Sequence, residues 1–323
     1  MAFIPSFDIK VTHQGTTYTF NGVNDLEIKR SVHTLGASAV IKVPVTAVIR
    51  QNEVKTYVET AKAIAPGDKV SIRLGYNGQL YREFSGYIKQ LNLKTPLEIV
   101  CEDQFYVTRS QSITLDGKIT VLEDIIKKMG LPIGYCVPLT IKNFVADNKP
   151  QSWVLGKLKT EYGLWIFFDM DGRIYLTEPY IVKGDRVRYR FRYNVINEDD
   201  LKYQRAEDIK LKIKAVCIYR DGEKVEATIG PEDGVEKTLY FYDVQDEKQL
   251  AVLAKAELER YRYDGYRGKI TAFLQPYAAP SMIAVLEDPV YSERGGSYYI
   301  ESTEVQFGVS KGGRRIVSIG MIV

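Results

Sequence analysis

The chain has 323 residues, of which 45% are hydrophobic and 26% charged, the balance of a globular protein rather than a disordered one. That length is too great for one compact core and fits about two domains, or three small ones. Lys plus Arg (44) against Asp plus Glu (41) leaves +3, which excludes bulk adsorption to nucleic acid or membrane while leaving room for a local basic patch.

The longest apolar run, Leu164 to Phe168, falls far short of the roughly 20 residues of a membrane span. Met1 to Asp8 shows neither a basic n-region nor an apolar h-region, so no secretory signal is expected. Cys101, Cys136 and Cys217 lie far apart and lack CxxC spacing, which argues against a disulfide framework and a zinc site. A soluble protein of a reducing compartment is the expectation. Only two histidines are present, His13 and His33, which removes the commonest general base and metal ligand. The 23 tyrosines, with many Val, Ile and Thr, favour pleated strands.

In chain order, residues 1–110 read as a β-rich domain. Phe7 to Val11 and Thr16 to Phe20 flank Gln14-Gly15, a hairpin signal. Ala39 to Val43 is a short strand closed by Pro44. Pro66-Gly67-Asp68 turns into Lys69 to Gly75, where Val70, Ile72 and Leu74 alternate with polar residues, the period of a strand with one buried face. Asn77-Gly78 is a strong hairpin signal, because both turn positions need positive φ. Phe84 to Leu93 and Leu97 to Glu102 complete a small, closed antiparallel sheet.

Residues 111–185 read as an α/β unit. Thr120 to Glu123 forms a capping box, and Leu122, Ile125, Ile126 and Met129 then make one apolar stripe before Gly130. A second helix is expected from near Pro150 to Tyr162, ending at Gly163. Leu164 to Phe168 and Arg173 to Thr177 pair across Asp169 to Gly172.

Residues 186–323 return to strands. Arg186, Arg188, Arg190 and Arg192 alternate with Val187, Tyr189, Phe191 and Tyr193. Ile209, Leu211 and Ile213 alternate with Lys210, Lys212 and Lys214, and Asp221-Gly222 makes a hairpin into Glu223 to Ile229. One helix near 246–261, with Leu250, Leu253, Ala254 and Leu258 on one side, interrupts the strands; the sequence leaves open whether it joins the middle or the last domain. Lys269 to Leu274, Met282 to Glu287, Tyr298 to Phe307 and Arg314 to Met321 finish the chain. A short internal echo joins the two β regions: Gly86-Tyr87-Ile88 then Ile99-Val100-Cys101, against Tyr298-Tyr299-Ile300 then Ile316-Val317-Ser318.

The sequence contains no nucleophile elbow, Walker A loop, HExxH, Rossmann fingerprint or CxxC. Asp169-x-Asp171-Gly172 lacks the twelve-residue spacing of a calcium loop and reads as a turn. Glu102-Asp103 and Glu198-Asp199-Asp200 read as surface carboxylates, and His13 and His33 as surface or packing residues. No catalytic residue, metal or cofactor is expected.

The alternating arginines are the sharpest local feature. Three readings of Arg186, Arg188, Arg190 and Arg192 compete: a solvated face paired with the acids at 197–200 and 232–233, a subunit or partner contact, or a nucleic-acid path. A closed barrel cannot bury four adjacent arginines without paired acids, so the aromatic partners should point inward and the arginines outward. On the residues alone the solvated face comes first, the subunit or partner contact second and the nucleic-acid path last.

The run Pro66-Gly67-Asp68-Lys69-Val70-x-Ile72-x-Leu74-Gly75-Tyr76, then Phe84-Ser85-Gly86-Tyr87-Ile88, then Glu98 to Asp103, resembles the first domain of phage tail hub proteins. Those include the baseplate hub of contractile phages, late control protein D and the N-terminal part of VgrG-type spikes. Val121-Leu122-Glu123-x-Ile125-Ile126, Gly163 to Phe168, Asp171 to Ile174, and Gly296 to Ser302 extend the resemblance along nearly the whole chain.

The resemblance implies a mainly β fold with an α+β insertion: two β-barrel-like tube domains flanking a small α/β domain. It also implies a homotrimer, whose two tube domains per subunit give a pseudo-sixfold ring that adapts a sixfold tail tube to a threefold spike. The expected role is structural, not enzymatic, at a virion tail or injection-machine baseplate, with the tail tube protein, a separate spike protein and other baseplate proteins as partners. The spike is expected to be a separate polypeptide because the sequence stops directly after its last strand. DNA passing through the channel fits this reading; specific nucleic-acid binding and membrane insertion do not. The alternatives are a tail-tip enzyme acting on cell-wall polysaccharide or peptide, which would need a cleft with paired carboxylates of perturbed pKa, and a carbohydrate-binding module stacking sugars on exposed tyrosines.

Overall fold

The computed structural model describes residues 3–51, 54–118, 121–141, 143–218, 223–242, 244 and 246–323. In the first segment β1 (Pro5–His13) and β2 (Thr16–Phe20) form the expected hairpin, with Gln14 and Gly15 both at positive φ. β3 (Asp25–Ser31) and β4 (Ser38–Val43) pair antiparallel. β5 (Thr46–Gln51) and β6 (Val54–Glu59) make a separate two-stranded ribbon that leads into the short helix α1 (Thr60–Ala63). β7 (Lys69–Tyr76), β8 (Gln79–Asn92) and β9 (Leu97–Glu102) form a meander, and Val70, Ile72 and Leu74 are buried as their alternation requires.

The middle unit contains α2 (Phe105–Ser110), β10 (Ser112–Asp116), α3 (Leu122–Lys128), β11 (Ile133–Cys136), β12 (Val145–Pro150), α4 (Gln151–Tyr162), β13 (Trp165–Phe168) and β14 (Ile174–Thr177). Its core gathers Leu122, Ile125, Ile126 and Met129 with Val154, Leu155 and Leu158, so the apolar faces of α3 and α4 contribute to one core. Thr120 of the expected capping box lies outside the described residues. The N-cap position of α3 is Val121, which makes no side-chain cap bond. Gly130 and Gly163 both adopt positive φ just past their helices, the C′ conformation in which a glycine pays no Cβ penalty.

The last segment contains β15 (Arg186–Arg190), β16 (Val195–Asn197), β17 (Leu201–Gln204), β18 (Leu211–Ile218), β19 (Lys224–Ile229), β20 (Val235–Tyr242), α5 (Glu247–Tyr261), β21 (Gly265–Phe273), β22 (Ile283–Glu287), β23 (Gly296–Gly308) and β24 (Gly312–Ile322). The Asp221-Gly222 turn expected before β19 lies outside the described residues. α5 starts at Asp246, whose carboxylate accepts from Gln249 N at 2.8 Å. Leu250, Ala254 and Leu258 face the core, whereas Leu253 is more than a third exposed. No helix among the described residues is long and apolar enough to cross a membrane.

The fold is mainly β with a few helices. Each β-rich segment keeps its own core, but the two are not separate sheets. One 14-stranded sheet runs β16-β21-β24-β23-β3-β4-β9-β8-β7-β1-β2, with β15, β17 and β22 attached to it. The seam is β23 against β3, from Ser302 opposite Ser31 to Gly308 opposite Asp25. β23 is long enough to serve two partners along one edge: residues 296–299 pair β22 and residues 302–308 pair β3. Gly308 ends the seam at φ +143, where a Cβ would stand 2.4 Å from Asn24 O.

The short sequence echo is a structural duplication. β7-β8-β9 in the first half recurs as β22-β23-β24 in the second. Gly67 N donates to Ile88 O and Ile88 N to Asp68 O, each at 2.8 Å; Ser281 N donates to Ile300 O at 2.9 Å and Ile300 N to Met282 O at 2.8 Å. Both preceding turns close identically, Asp68 N on Ala65 O and Met282 N on Ala279 O, each at 3.2 Å. The pairing of β8 with β9 slips between Ile88 and Gln90, and that of β23 with β24 slips between Ile300 and Ser302, at the same place in the repeat.

The β3–β4 pair of the first half corresponds to β16/β17 with β21 in the second. Between β17 and β21 the second half carries an insertion, β18 to β20 covered by α5. α5 packs on its own three-stranded sheet, and the core it closes also takes Trp165 and Tyr180 from the middle unit and Tyr299 and Met321 from the second half.

Candidate functional site

β15 lies at an edge of the sheet, parallel to β22 and paired among the described strands with it alone. Val187, Tyr189 and Phe191 are buried, while Arg186, Arg188 and Arg190 are exposed. The strand ends at Arg190 because Asn194 clamps it: Asn194 Oδ1 accepts from Arg190 N at 2.8 Å and Nδ2 donates to Arg188 O at 3.0 Å. Arg192 therefore stands in a turn at φ 63, off the strand face, and Tyr193, expected to point inward, is 79% exposed. Arg188 Nε meets Glu287 Oε1 at 3.0 Å on the neighbouring strand; Arg186, Arg190 and Arg192 have no ion pair among the described residues.

The lysine row differs. Lys210 pairs Asp233, Lys212 pairs Glu236 at 3.6 Å and Lys214 pairs Glu226 at 2.8 Å, so this row is neutralised within its own sheet. Of the two basic rows, the one on β15 and the turn after it is the one left largely unpaired among the described residues.

The joint between the two halves holds what the sequence did not reveal. Arg315 on β24 and Glu83 on β8 are both fully buried and pair bidentately, Nη2 to Oε1 at 2.7 Å and Nη1 to Oε2 at 3.1 Å. Arg315 also donates to Ala278 O (2.8 Å) and Leu274 O (3.1 Å). Burial alone would lower the pKa of Arg315, but the Glu83 carboxylate reverses this and raises it.

Glu83 reaches the interior through a bulge. Ile72 lies opposite Phe84 and Arg73 opposite Arg82, which leaves Glu83 as the extra residue, turned inward beside buried Phe84. Nearby, the Tyr76 hydroxyl donates to Gly313 O at 2.6 Å and accepts from Leu274 N at 3.2 Å, a second tie between the halves. The Tyr189 hydroxyl is buried in this joint with no hydrogen-bond partner among the described residues, and burial pushes its pKa up to about 12.

A cleft of about 550 Å³ opens where the middle unit, the insertion and the second half meet. His33, Trp165, Glu178, Tyr180, Lys237 and Glu301 are among its walls. Burial raises Glu178. Burial would raise Glu301 too, but hydrogen bonds from His33 and Tyr180 hold it below the usual carboxylate range. Both Glu301 oxygens are engaged, Oε2 with His33 Nε2 at 3.1 Å and Oε1 with the Tyr180 hydroxyl at 2.6 Å. Lys237 lies 4.0 Å above the Tyr261 ring, and burial lowers its pKa.

The other sequence candidates take structural places. His13 Nδ1 contacts the Asp68 carboxylate at 2.9 Å, and Asp68 also accepts from Ala65 N at 2.7 Å. Asp169 Oδ1 accepts from Asp171 N (2.8 Å) and Arg173 N (2.9 Å), which closes the β13–β14 turn. Glu102 and Asp103, read from sequence as surface carboxylates, are both buried. Glu102 pairs Arg109 through two bonds of 2.7 Å. Asp103 receives Ala37 N at 2.8 Å and Phe105 N at 3.0 Å, yet desolvation raises its pKa to about 7. Among the described residues no group of three or more His, Cys, Asp or Glu is placed to hold a metal ion.

This fold is shared, over nearly the whole chain, with solved tail proteins and with a component of a type VI secretion system. The chain is similar to the 43 kDa tail protein of prophage MuSo2 from Shewanella oneidensis, at 15% identity and a TM-score of 0.61 over 98% of both chains. It is similar to a tail protein from Neisseria meningitidis MC58, at 11% identity and a TM-score of 0.60 over 97% of this chain and 96% of that one. An E. coli component of the type VI secretion system, c3393, matches at 11% identity and a TM-score of 0.58 over 97% of this chain and 76% of that one. That protein is itself described as structurally similar to the T4 tail proteins gp27 and gp5. No family model and no curated protein matches the sequence.

Proposed function

We propose that the chain is a structural hub of a phage tail or related contractile injection machine, assembling as a homotrimer that joins a sixfold tail tube to a threefold spike. The observation that carries this reading is the duplicated β half, in a chain whose fold follows tail proteins from end to end. Two similar halves per subunit turn three subunits into six similar positions, the number a sixfold tube requires. Its place would then be the virion tail or injection-machine baseplate, with tube, spike and other baseplate proteins as partners. Arg186, Arg188, Arg190 and Arg192 are assigned to a subunit or partner contact: among the described residues three of the four meet no carboxylate, and the fourth meets a half-exposed one.

The role is non-enzymatic in this reading. The cleft carries two carboxylates shifted in opposite senses, but His33 and Tyr180 already occupy both oxygens of Glu301. The test is co-expression with the tube and spike proteins of a related tail, followed by light scattering and electron microscopy. A threefold particle bound to both partners is expected. A species that stays monomeric alone at high concentration and also with both partners would refute the hub.

A further inference from the structure

The insertion in the second half ends its own sheet on an open strand. β18 lies between β19 and β20, and among the described strands β20 pairs with β18 alone, in parallel from Leu211 opposite Val235 to Ile218 opposite Tyr242. In a parallel ladder every second residue turns its main-chain groups to the same side. Val235 N donates to Lys210 O at 3.0 Å, so Val235, Lys237, Leu239 and Phe241 bond towards β18. The N–H and C=O groups of Glu236, Thr238 and Tyr240 therefore point away from the sheet, and among the described residues no main-chain group bonds to them.

That edge opens into the cleft of about 550 Å³. Residues 237–241 all line it. Consecutive residues of a strand point to opposite faces, so a cavity touching all five runs along the edge rather than over one face. The charged groups around it are matched save two. Glu301 is held by His33 and Tyr180, and Arg260 Nη1 meets Glu257 Oε1 at 3.3 Å. Burial pushes Glu178 towards its neutral form. Lys237 Nζ lies 4.0 Å from the centre of the Tyr261 ring, and among the described residues no carboxylate comes within ion-pair distance of it. A largely desolvated ammonium on an aromatic face is left without a counter-charge.

We propose that this groove takes an extended segment of a partner polypeptide, added as a strand to β20 with an acidic side chain on Lys237. A small anion would answer Lys237 alone and leave the outward N–H groups of β20 bare, whereas an added strand satisfies both. The same strand removes a hazard, because an uncovered edge of eight residues is a template for aggregation. Lys237, Leu239 and Phe241 share one face of β20, and Leu239 and Phe241 pack on the core that α5 closes. A segment in register therefore carries a carboxylate beside Lys237 and, two places along, an apolar side chain beside Leu239. Glu236 does not oppose that carboxylate, since it lies on the other face with Lys212 at 3.6 Å.

The test uses the whole chain carrying Trp153→Phe, which leaves Trp165, in the wall of the cleft, as its single tryptophan. A displayed library of random peptides about seven residues long, enough to span the edge, is selected against it. An enriched peptide is then synthesised and titrated while Trp165 emission is followed. Enriched peptides should share Asp or Glu two positions from an apolar residue, and should shift the emission. Lys237→Met should weaken their binding about tenfold, as loss of one partner of a desolvated charge pair requires. N-methylation of alternate peptide residues should abolish binding in one register and spare it in the other, because a strand turns only every second N–H to its partner. That measurement leaves the protein unaltered, so it decides the matter even if Lys237→Met misfolds. No enriched sequence, peptides indifferent to Lys237→Met, or equal tolerance of both methylation registers would overturn the proposal. So would Trp165 emission that shifts with protein concentration before any peptide is added, because the occupant would then be a second copy of the chain.

Discussion

Removing one partner of the Glu83–Arg315 pair should cost more than any other polar change in the chain. Both groups are fully buried, so Arg315→Met strands a carboxylate without a counter-charge and Glu83→Gln strands a guanidinium. Breaking a buried pair from one side typically costs about 3–5 kcal/mol. Arg315→Met also takes the donors from Ala278 O and Leu274 O, each worth about 1–3 kcal/mol if left unsatisfied. Against a total stability of roughly 5–15 kcal/mol, either single change should leave the joint between the halves marginal. The double change Glu83→Leu with Arg315→Met removes both charges together and leaves only the two carbonyls. It should therefore cost about 2–6 kcal/mol, still well below the sum of the singles. Urea unfolding followed by far-ultraviolet circular dichroism, run as a double-mutant cycle, reads this directly. Single variants within about 1 kcal/mol of wild type, or a double variant equal to the sum of the singles, would refute the claim that this pair locks the two halves.

Asp103 should make stability depend on pH. Its folded pKa of about 7 lies well above the usual carboxylate range, so the native state favours the proton. The resulting stabilisation is full below about pH 4 and is lost as pH rises towards 7, at most about 4 kcal/mol in all. Asp103→Asn should flatten the change in urea midpoint between pH 5 and pH 8, and equal slopes in the two proteins would count against it. Arg188→Glu with Arg190→Glu should weaken ring assembly while leaving the subunit's melting temperature within a few degrees; normal assembly at physiological salt would return the stripe to a solvated face. Asp246→Ala should cost about 1 kcal/mol by removing the cap of α5, measured by thermal unfolding, and no change would mean that packing alone sets the start of that helix.

Much of this fold was legible because its signals are local. Period-two burial at Val70, Ile72 and Leu74, the positive-φ turns at Gln14-Gly15 and Asn77-Gly78, and the apolar stripe of α3 each depend on neighbours in sequence. What was missed depends on partners far away. The β3–β23 seam joins residues more than 270 positions apart, and no local pattern marks which strand edge it will use. Glu83 reads as an outward residue under strict alternation, and only the bulge that displaces it by one place turns it towards Arg315. The fate of the arginine stripe was half legible. Alternation placed Arg186, Arg188 and Arg190 outward, but the Asn194 clamp, a side chain bonding back to two main-chain groups, ended the strand before Arg192 and Tyr193. Asp103 was misjudged for a similar reason: adjacency to Glu102 says nothing about the Ala37 and Phe105 amides that hold it inside.

The two halves differ chiefly in what is inserted, and that difference bears on symmetry. The first half carries the β5–β6 ribbon between β4 and β7, whereas the second carries β18 to β20 and α5 between β17 and β21. In a trimeric hub the duplicated strands recur six times around the axis and each insertion only three times. A sixfold partner must therefore meet the face built from the shared strands, where both halves present similar edges. A threefold partner can read the insertions and the middle unit, which occur once per chain. The Glu83–Arg315 pair sits where this division has to be enforced. It ties the bulged β8 of one half to β24 of the other through directional bonds, and so sets the angle between the two halves. An apolar contact at the same place would leave that angle freer, because packing without directional bonds admits more than one arrangement at similar cost.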